Sequence, residues 1–322
     1  SRGYDIVWLG TRRGIEARLV PAEGIPVEWL SVSGLRGKGL GTLLAAPFRL
    51  VVALLQALRA VRRHRPSVVL GAGGFASGPG GVAAWLLGRP LVVHEQNAVA
   101  GLTNRLLARL AGRVLEGFPG SFGRGVRAVH VGNPVRPEIA AIAPPERRYA
   151  AREGRIRLLV FGGSQGSARL NAVVPAALAE LPAALRPEVL HQTGSQGLDE
   201  TVAAYRSRGI EADVRPFIDD MASAYGWADL AVCRSGALTV AELAAAGVPA
   251  ILVPFPAAVD DHQTRNAEYA VQAGAAKLLP EGDLTPISLA AMLRALLEAG
   301  RPLLARMAVA ARTSAIIDAD ER

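Results

Sequence analysis

The feature that most constrains the fold is a steady alternation of short, apolar, β-like runs with longer helical stretches along 322 residues. This alternation is typical of α/β proteins whose parallel strands are joined by crossover helices. The chain is long enough to form two such domains with separate cores. Half of its residues are hydrophobic, which disfavours a disordered chain, and the 5% that are aromatic suit an Ala/Leu/Val-rich α/β protein.

The expected strands fall into two groups separated by a proline-rich linker. The first group is Asp5–Leu9, Val27–Leu30, Ser67–Leu70, Leu91–Val93 and Arg127–Val131. The second group is Arg157–Phe161, Glu188–His191, Asp213–Pro216, Asp229–Cys233, Ala250–Val253 and Ala276–Leu279. Gly132–Pro137 and Pro144-Pro145 read as the linker. We therefore predict two Rossmann-like, doubly wound parallel-sheet domains that face each other across a cleft.

The domain boundaries follow from this pattern. We place the first domain at 1–134 and the second at 135–314, and we expect 315–322 to begin a C-terminal helix that returns toward the first domain. A βαβ domain normally opens with a strand and its phosphate loop. Here Ser1-Arg2-Gly3-Tyr4 runs straight into a strand, so we expect a first strand–loop–helix unit to be absent from this sequence.

Charge and cysteine content narrow the classes of partner. The net charge of +8 implies affinity for anions such as phosphates, nucleic acid or acidic lipid. No RNA-binding signature or zinc-finger spacing accompanies this charge, so we expect no nucleic-acid partner. The single cysteine, Cys233, excludes a disulfide framework and a cysteine-built zinc site and favours a reducing compartment. No apolar run reaches the roughly 20 residues that a membrane-spanning helix needs.

The segment around Cys233 carries the sharpest functional signal. The apolar run 228–233 predicts a buried strand, which stops at Ser235-Gly236 before a helix-forming run. This arrangement aims the free N–H groups of a helix start at the carboxyl edge of a sheet, where an anion can bind. Glu242, about two turns into the helix, would then reach a sugar hydroxyl. The alternative is that Thr239-x-x-Glu242 is only a capping box.

Two glycine-rich segments follow predicted strands. In Gly162–Ser167 the glycines let the backbone approach a ligand, and Ser164 adds a hydroxyl. The segment is neither a G-x-G-x-x-G fingerprint nor a Walker A loop. His191-Gln192 stands where a nicotinamide site would have an acidic residue, which disfavours a dehydrogenase. Gly71–Gly81 is either a second anion site or a flexible connector.

Two polar clusters also follow strands. His94–Asn97 comes after Leu91–Val93, at a carboxyl end where ligands collect. The cluster favours a functional role over isolated structural hydrogen bonds. Asp260, Asp261 and His262 resemble metal ligands in type, but adjacent residues at a helix start point in different directions. We therefore expect an N-terminal cap with sugar contacts there, and no metal site.

One predicted helix, from Leu43 to Leu58, is unusually apolar for a surface helix. Its apolar residues recur at spacings of three and four and form the stripe Leu44, Phe48, Val51 and Leu54. Arginines and one lysine surround the stripe, at Arg36, Lys38, Arg49, Arg59, Arg62, Arg63 and Arg65. Such a helix can lie on an anionic membrane surface. The alternative is that the stripe faces the core of the protein.

These motifs, in this order, resemble the bacterial MurG family over essentially the whole chain. The matching pieces are Trp8–Thr11, Ser33–Gly39, Gly73–Gly81, His94–Asn97, Gly101–Asn104, Gly132–Arg136, Gly162–Gly166, Phe217–Met221, Arg234–Glu242 and Asp261–Asn266. The members are inverting glycosyltransferases of peptidoglycan synthesis. They move N-acetylglucosamine from UDP-N-acetylglucosamine (UDP-GlcNAc) to the muramoyl O4 of undecaprenyl-pyrophosphoryl-MurNAc-pentapeptide, which converts lipid I to lipid II.

The resemblance implies a GT-B fold with the lipid acceptor on the first domain and UDP-GlcNAc on the second. The implied donor-binding residues are Asn97, Arg136, Ser164, Ile218, Ala237, Leu238, Thr239, Val240, Ala241, Glu242 and Gln263. Ile218 would meet uracil, Glu242 the ribose and Gln263 the N-acetylglucosamine. Ser164 and the helix start would hold the diphosphate, so no cofactor or metal is required. The implied acceptor-phosphate loop contains Gly73, Gly74, Ser77 and Gly78. The expected location is peripheral, on the cytoplasmic face of the bacterial cell membrane.

One departure concerns the general base. The family begins with a Gly-Gly-Thr-Gly-Gly-His loop, whose histidine is its proposed base, and nothing in this sequence matches that loop. His94 and Glu95 are the substitutes that remain. Two alternatives stay open on the residues alone: another GT-B enzyme, such as a UDP-GlcNAc 2-epimerase, or a non-catalytic fragment that binds nucleotide sugar.

Overall fold

The computed structural model describes residues 3–12, 14, 16–31, 46–163, 165–256 and 261–322. The side chain of Ala46 is outside the description. The chain divides into two compact units, Ser1–His130 and Val131–Arg322.

The first unit contains strands that all pair in parallel. Its strands are β1 (Trp8–Gly10), β2 (Val27–Trp29), β3 (Val69–Gly71), β4 (Leu91–Glu95), β5 (Arg113–Glu116) and β6 (Ala128–His130). Its helices are α1 (Glu16–Ala22), α2 (Ala46–His64), α3 (Gly74–Leu86) and α4 (Leu102–Leu107). β1 pairs with β2, and the other strands form a sheet in the order β3-β4-β5-β6.

The second unit is a six-stranded parallel sheet with helical connections. Its strands are β7 (Arg157–Phe161), β8 (Glu188–Gln192), β9 (Asp213–Arg215), β10 (Leu230–Cys233), β11 (Ala250–Leu252) and β12 (Ala276–Leu278). Its helices are α5 (Pro137–Ala140), α6 (Pro145–Ala150), α7 (Ala168–Ala179), α8 (Leu198–Arg206), α9 (Met221–Trp227), α10 (Ala237–Ala246), α11 (His262–Gln272) and α12 (Pro286–Ser314), which is kinked at Gly300. Short 3₁₀ turns lie at Ala183–Leu185, Ser195–Gly197 and Glu281–Asp283.

The strand order of this second sheet fixes where a ligand can bind. The order is β12-β11-β10-β7-β8-β9, so the winding direction reverses between β7 and β10. In doubly wound sheets the loops that leave such a pair diverge and open a crevice at the carboxyl edge. Phe161 at the end of β7 lies opposite Cys233 at the end of β10. The loops at Gly162 and Arg234 therefore flank the crevice.

Burial of the central strands explains their sequences. All four residues of β10 are buried, and four of the five in β7 are buried as well. A parallel strand covered on both faces must be apolar throughout rather than alternating. The core around these strands includes Leu158, Val160 and Val232, together with Leu293 of α12.

Helix α10 is held at its carboxyl end by a half-buried arginine. Gly247 ends the helix in the left-handed conformation, with φ of 60°. The Arg148 guanidinium donates to the carbonyl oxygens of Ala246 and Gly247. A cation at this end complements the helix dipole and satisfies carbonyl groups that lack helical partners. The helix is thereby anchored at one end while its other end reaches the crevice.

Three expectations about secondary structure are corrected. β5 was not expected, because it is only four residues long and begins at an arginine directly after Gly112. β4 extends through His94 and Glu95, which pair with Leu115 and Glu116 of β5. Residues 315–322 form no helix: α12 ends at Ser314, and Ala315 takes an extended conformation. The Ile316 side chain then lies against Gly132, where a Cβ would collide with it.

Candidate nucleotide-sugar site and its relatives

The glycine loop after β7 leaves no room for a Cβ at Gly162 or Gly166. Gly163 and Gly166 have φ of 94° and 74°, which L side chains rarely adopt. The N–H of Gly166 donates to the Gly163 carbonyl at 3.0 Å. A Cβ on Gly166 would collide with the carbonyl oxygen of Thr193 on the neighbouring loop. Gly166 is therefore held closely against the neighbouring loop at the switch point, while Ser164 lies outside the described residues.

Arg234 ties this loop to the neighbouring strands. Its Nη2 donates to Ser167 Oγ at 2.9 Å, and Nη1 donates to the carbonyls of Val253 (3.2 Å) and Pro254 (3.1 Å). The guanidinium also pairs with Glu281. Because these groups follow or adjoin three different strands, Arg234 braces the carboxyl edge of the sheet.

Within the described part of the chain, no side-chain bond caps the start of α10. The residue before the helix is Gly236, and it supplies no side-chain hydrogen bond. Val240 is the first residue of the helix whose N–H has a backbone acceptor within the segment, and it donates to the Gly236 carbonyl. The preceding N–H groups point out of the helix start, as anion sites require. The capping-box alternative is wrong, because Thr239 is the third residue of α10 and not its cap.

Glu242 instead accepts hydrogen bonds from two residues outside its helix. Its Oε1 accepts from Arg136 Nε at 3.1 Å, and its Oε2 accepts from the Tyr225 hydroxyl at 3.2 Å. Burial, and next the Glu242 carboxylate, raise the pKa of Tyr225 well above its ordinary value, so the hydroxyl stays a donor. The predicted site residues Arg136 and Glu242 therefore meet directly. Tyr225 was missed: its only signal is a tyrosine among small residues just before a buried strand.

Ile218 lies in the segment that follows β9. Its side chain is buried, and its N–H donates to Gln192 Oε1 at 2.8 Å. Gln192 ends β8, so the segment is held at the same carboxyl edge as the glycine loop. Gln192 is a second residue that was not predicted for the site.

Gln263 belongs to the first turn of α11, close in sequence to residues 257–260, which lie outside the described part of the chain. Gln263 Oε1 accepts from the N–H of Phe255 at 2.9 Å. Its backbone carbonyl accepts from Ser235 Oγ at 2.9 Å, and Asn266 Nδ2 donates to the Ser235 carbonyl at 3.1 Å. These bonds attach α11 to the loop that precedes α10.

Asp261 precedes α11 with φ of 52°, a conformation that costs free energy in a residue with a side chain. Its Oδ1 accepts from the Thr264 hydroxyl at 2.6 Å rather than from a backbone N–H. Asp260 is outside the description. Over the residues that are described, no three His, Cys, Asp or Glu side chains are grouped as metal ligands would be.

In the first unit, Glu95 organises the loop that carries Asn97. Its Oε1 accepts from the backbone N–H and from Nδ2 of Asn97, at 3.0 and 3.1 Å. Its Oε2 accepts from Gly101 N at 3.1 Å and Asn104 Nδ2 at 2.8 Å. Glu95 is buried, and a carboxylate with both oxygens engaged in this way suits an organising role better than proton transfer. His94 Nδ1 lies 3.2 Å from Gln96 Nε2.

The glycine-rich segment after β3 is helical over most of its length, so the flexible-connector alternative is wrong. Gly73 precedes α3 with φ of 84°, and Gly74 follows with φ of 74°. The Ser77 hydroxyl donates to the Gly73 carbonyl, and Gly78 lies near Thr103 of α4. A Cβ on Gly81 would fall 2.7 Å from Leu107. These glycines let α3 pack closely on its neighbours.

Helix α2 exposes apolar side chains next to arginines. Phe48 is 73% exposed, and Val51 and Leu55 are also exposed. Leu54, by contrast, packs against a core cluster that includes Ala57. Leu44 lies outside the described residues. None of the helices that the structure describes combines the length and the apolar character needed to cross a membrane.

Comparison with known proteins identifies relatives of both units. Residues 1–116 match the glycosyltransferase family 28 N-terminal domain, and residues 157–322 match the glycosyltransferase family 28 C-terminal domain. Over 288 residues the chain is 61% identical to the UDP-N-acetylglucosamine--N-acetylmuramyl-(pentapeptide) pyrophosphoryl-undecaprenol N-acetylglucosamine transferase of Nitrosococcus oceani, covering 89% of this chain and 80% of the relative. The enzyme of the same name from Marinobacter nauticus is 54% identical over 322 residues, covering 100% and 88%.

A solved structure agrees with these relatives. The crystal structure of Acinetobacter baumannii MurG superposes with a TM-score of 0.85 at 39% identity, covering 99% of this chain and 90% of that one. The GT-B architecture expected from the sequence is thereby confirmed. With its switch-point site and relatives of this identity, the chain belongs to the MurG family within glycosyltransferase family 28.

Proposed function

We propose that this protein transfers N-acetylglucosamine from UDP-GlcNAc to the muramoyl O4 of undecaprenyl-pyrophosphoryl-MurNAc-pentapeptide, forming lipid II from lipid I. Its relatives carry the name of this reaction at 54–61% identity. The observation that carries the proposal is the uncapped start of α10 at the switch point, with the Glu242 carboxylate about two turns behind it.

The donor is bound from its nucleotide end. The glycine loop and the N–H groups at the start of α10 donate to the diphosphate oxygens. Glu242 accepts from the hydroxyls of the ribose, and the Ile218 segment meets the uracil. Gln263 keeps its Nε2 side directed at sugar hydroxyls while its Oε1 is held by Phe255. Each group matches the chemistry of its ligand: N–H donors for phosphate, a carboxylate for a diol and an amide for a sugar.

The reaction is an inverting displacement at the anomeric carbon. The acceptor hydroxyl forms the new C1–O bond while the C1–O bond to UDP breaks, and the hydroxyl proton passes to a base. Negative charge develops on the leaving diphosphate next to the N-terminal end of α10. Preorganised N–H groups and the helix dipole stabilise that charge, so the proposed mechanism needs no metal ion.

The acceptor carries a lipid, and the exposed face of α2 supplies a surface for it. Phe48, Val51 and Leu55 can enter the apolar boundary of a leaflet while Arg59 and Arg62 meet anionic headgroups. The proposed location is therefore the cytoplasmic face of the cell membrane, with no nucleic-acid partner.

The proposal is tested with the full-length protein, radiolabelled UDP-GlcNAc and a lipid I analogue. We expect label in a product that carries the disaccharide, together with stoichiometric UDP. Conversion of UDP-GlcNAc to its 2-epimer without an acceptor would replace the proposal with an epimerase. Donor binding with neither product would make the protein a nucleotide-sugar binder without this activity.

A further inference from the structure

Gln192 occupies a position in the second unit that neither the motifs nor the proposed reaction explains. It is the last residue of β8, and in the sheet it pairs with Phe161 of β7 and with Arg215 of β9. It therefore stands between the strand that leads into the glycine loop and the strand that leads to Ile218. Its side chain is polar, yet the residue is only 4% exposed.

Both ends of the Gln192 amide are engaged, each by a different loop. Nε2 donates to the carbonyl of Gly163 at 2.9 Å, and Oε1 accepts from the N–H of Ile218 at 2.8 Å. The first partner belongs to the loop proposed to hold the diphosphate, and the second to the segment proposed to meet the nucleobase. One side chain thus spans the two halves of the nucleotide site.

The residue type is demanded by this geometry. A primary amide offers a donor and an acceptor on one planar group, and here each faces a backbone group of the opposite kind: the carbonyl of exposed Gly163 and the N–H of buried Ile218. A glutamate could accept from Ile218 but could not donate to Gly163, and a methionine of similar length could do neither. The buried N–H of Ile218 needs an acceptor, and the same side chain also holds the Gly163 carbonyl, so the amide fixes the separation of the two loops.

The side-chain bonds described for the residues beside Gln192 reach neither Gly163 nor Ile218. His191 contacts Tyr205 and Asn171, and Asn171 Nδ2 donates to the Thr193 carbonyl at 3.0 Å. The Thr193 hydroxyl lies within hydrogen-bonding distance of the Gly194 and Arg215 carbonyls. These bonds shape the end of β8, but Gln192 alone joins the two loops through its side chain among the bonds described for this strand end.

We propose that Gln192 is a positioning residue that couples the nucleobase and diphosphate halves of the donor site by bridging Gly163 and Ile218. The inference rests on the proposed binding of UDP-GlcNAc in this unit. The nucleobase half and the diphosphate half of the site can each form alone. The Gln192 side chain sets the distance between them, which UDP must match in order to occupy both.

The test compares how tightly the full-length protein binds UDP and how tightly it binds two fragments of UDP, uridine and pyrophosphate. Affinities for uridine, inorganic pyrophosphate and UDP are measured for the wild type, Gln192→Met and Gln192→Glu. Thr193→Val is the matched control, because it removes a buried hydroxyl at the same strand end without touching either loop contact. Melting temperatures are recorded for all four proteins.

We expect both Gln192 variants to lose UDP affinity about tenfold, the size of a modest coupling between sites. In Gln192→Met the uridine and pyrophosphate affinities should each change less than about twofold, in Gln192→Glu the same should hold for uridine, and Thr193→Val should keep the UDP affinity of the wild type. Unchanged UDP affinity in both variants would overturn the inference. The inference would also be overturned if the affinity losses for uridine and pyrophosphate together were as large as the loss for UDP. The damage would then be local to one loop.

Two further outcomes keep the inference separate from the function it rests on. If Gln192→Met fails to fold, Gln192→Glu decides through its UDP and uridine affinities, since it keeps the acceptor for Ile218 and loses the donor to Gly163, while its added charge opposes pyrophosphate. If the wild type itself does not bind UDP, the proposed function fails and this inference fails with it. Tight UDP binding by the wild type with no loss in Gln192→Glu rejects the inference alone.

Discussion

Arg136 and Glu242 lie 106 positions apart in the chain, yet Arg136 Nε donates to Glu242 Oε1 at 3.1 Å. The Tyr225 hydroxyl donates to the other oxygen of the same carboxylate at 3.2 Å. The carboxylate is thus held from two sides while 17% of the side chain stays exposed. We propose that a carboxylate oriented in this way accepts from the vicinal hydroxyls of a ribose.

Replacing Glu242 with alanine should weaken binding of UDP-GlcNAc by roughly 1–3 kcal/mol, the cost of removing the acceptor of several buried donors. Isothermal titration calorimetry with UDP-GlcNAc measures this loss. A lower melting temperature with the same donor affinity would give Glu242 a purely structural role.

Tyr225→Phe deletes one buried hydroxyl and leaves the ring in place. We expect UDP affinity to fall by about 1 kcal/mol, because the carboxylate loses one of the bonds that orient it. The ratio of affinities for UDP and 2′-deoxy-UDP should fall as well. Tyr149→Phe is the matched control, because its hydroxyl donates to the Asp229 carbonyl and does not touch Glu242. Equal ratios in all three proteins would contradict the role.

The parts of the fold that could be predicted are those set by local chemistry. β7 was predicted with its observed bounds, because an apolar run between a charged residue and a glycine loop can only be a buried strand in this pattern. β5 could not be predicted, because four residues with charge at both ends give no periodicity, and pairing with β4 stabilises them. Long-range packing likewise decides the course of 315–322.

The same division applies to the site. Glycine loops and the start of α10 are visible in the sequence, because turn chemistry and helix starts are local. Tyr225 and Gln192 are not, because their roles arise from hydrogen bonds across 17 and 26 positions.

The sequence predicted only in part which side chains of α2 face outward. The small residues Ala53 and Ala57 face the core, which turns Leu54 inward and Leu55 outward.

Gly166→Ala should destabilise the second unit more than a comparable change elsewhere. The new Cβ meets the Thr193 carbonyl oxygen, and the backbone has φ of 74°. Gly209→Ala is the control, since φ there is 62° and nothing lies within 4 Å of a Cβ. Overpacking should make the loss of unfolding free energy about 1–3 kcal/mol larger at Gly166. Denaturant titrations measure the difference, and equal losses would show that the loop can move aside.

His191 should make stability depend on pH. Burial lowers the pKa of this histidine from 6.5 to about 3. Below pH 6.5 the unfolded chain therefore binds a proton that the folded protein excludes. The free energy of unfolding should fall by up to about 1.4 kcal/mol per pH unit as the pH drops toward 3, and this contribution is constant above 6.5. Denaturant titrations at pH about 7 and about 5.5 measure the fall. His191→Gln should lack this part of it, and parallel curves for the two proteins would contradict the assignment.

Membrane binding should depend on the exposed apolar face of α2. The double substitution Phe48→Asp and Leu55→Asp removes apolar area that would enter the leaflet and adds charge repelled by anionic headgroups. Burying such side chains contributes about 1.5–3 kcal/mol each, so binding to phosphatidylglycerol vesicles should drop at least tenfold. The matched control is Ile287→Asp, since Ile287 is 75% exposed in the second unit. Flotation assays measure binding, and melting temperatures report the fold.

Because the arginines contribute through screened charge, wild-type binding should also weaken as salt rises. An equal loss in Ile287→Asp, or none in the double variant, would assign the membrane contact to another surface.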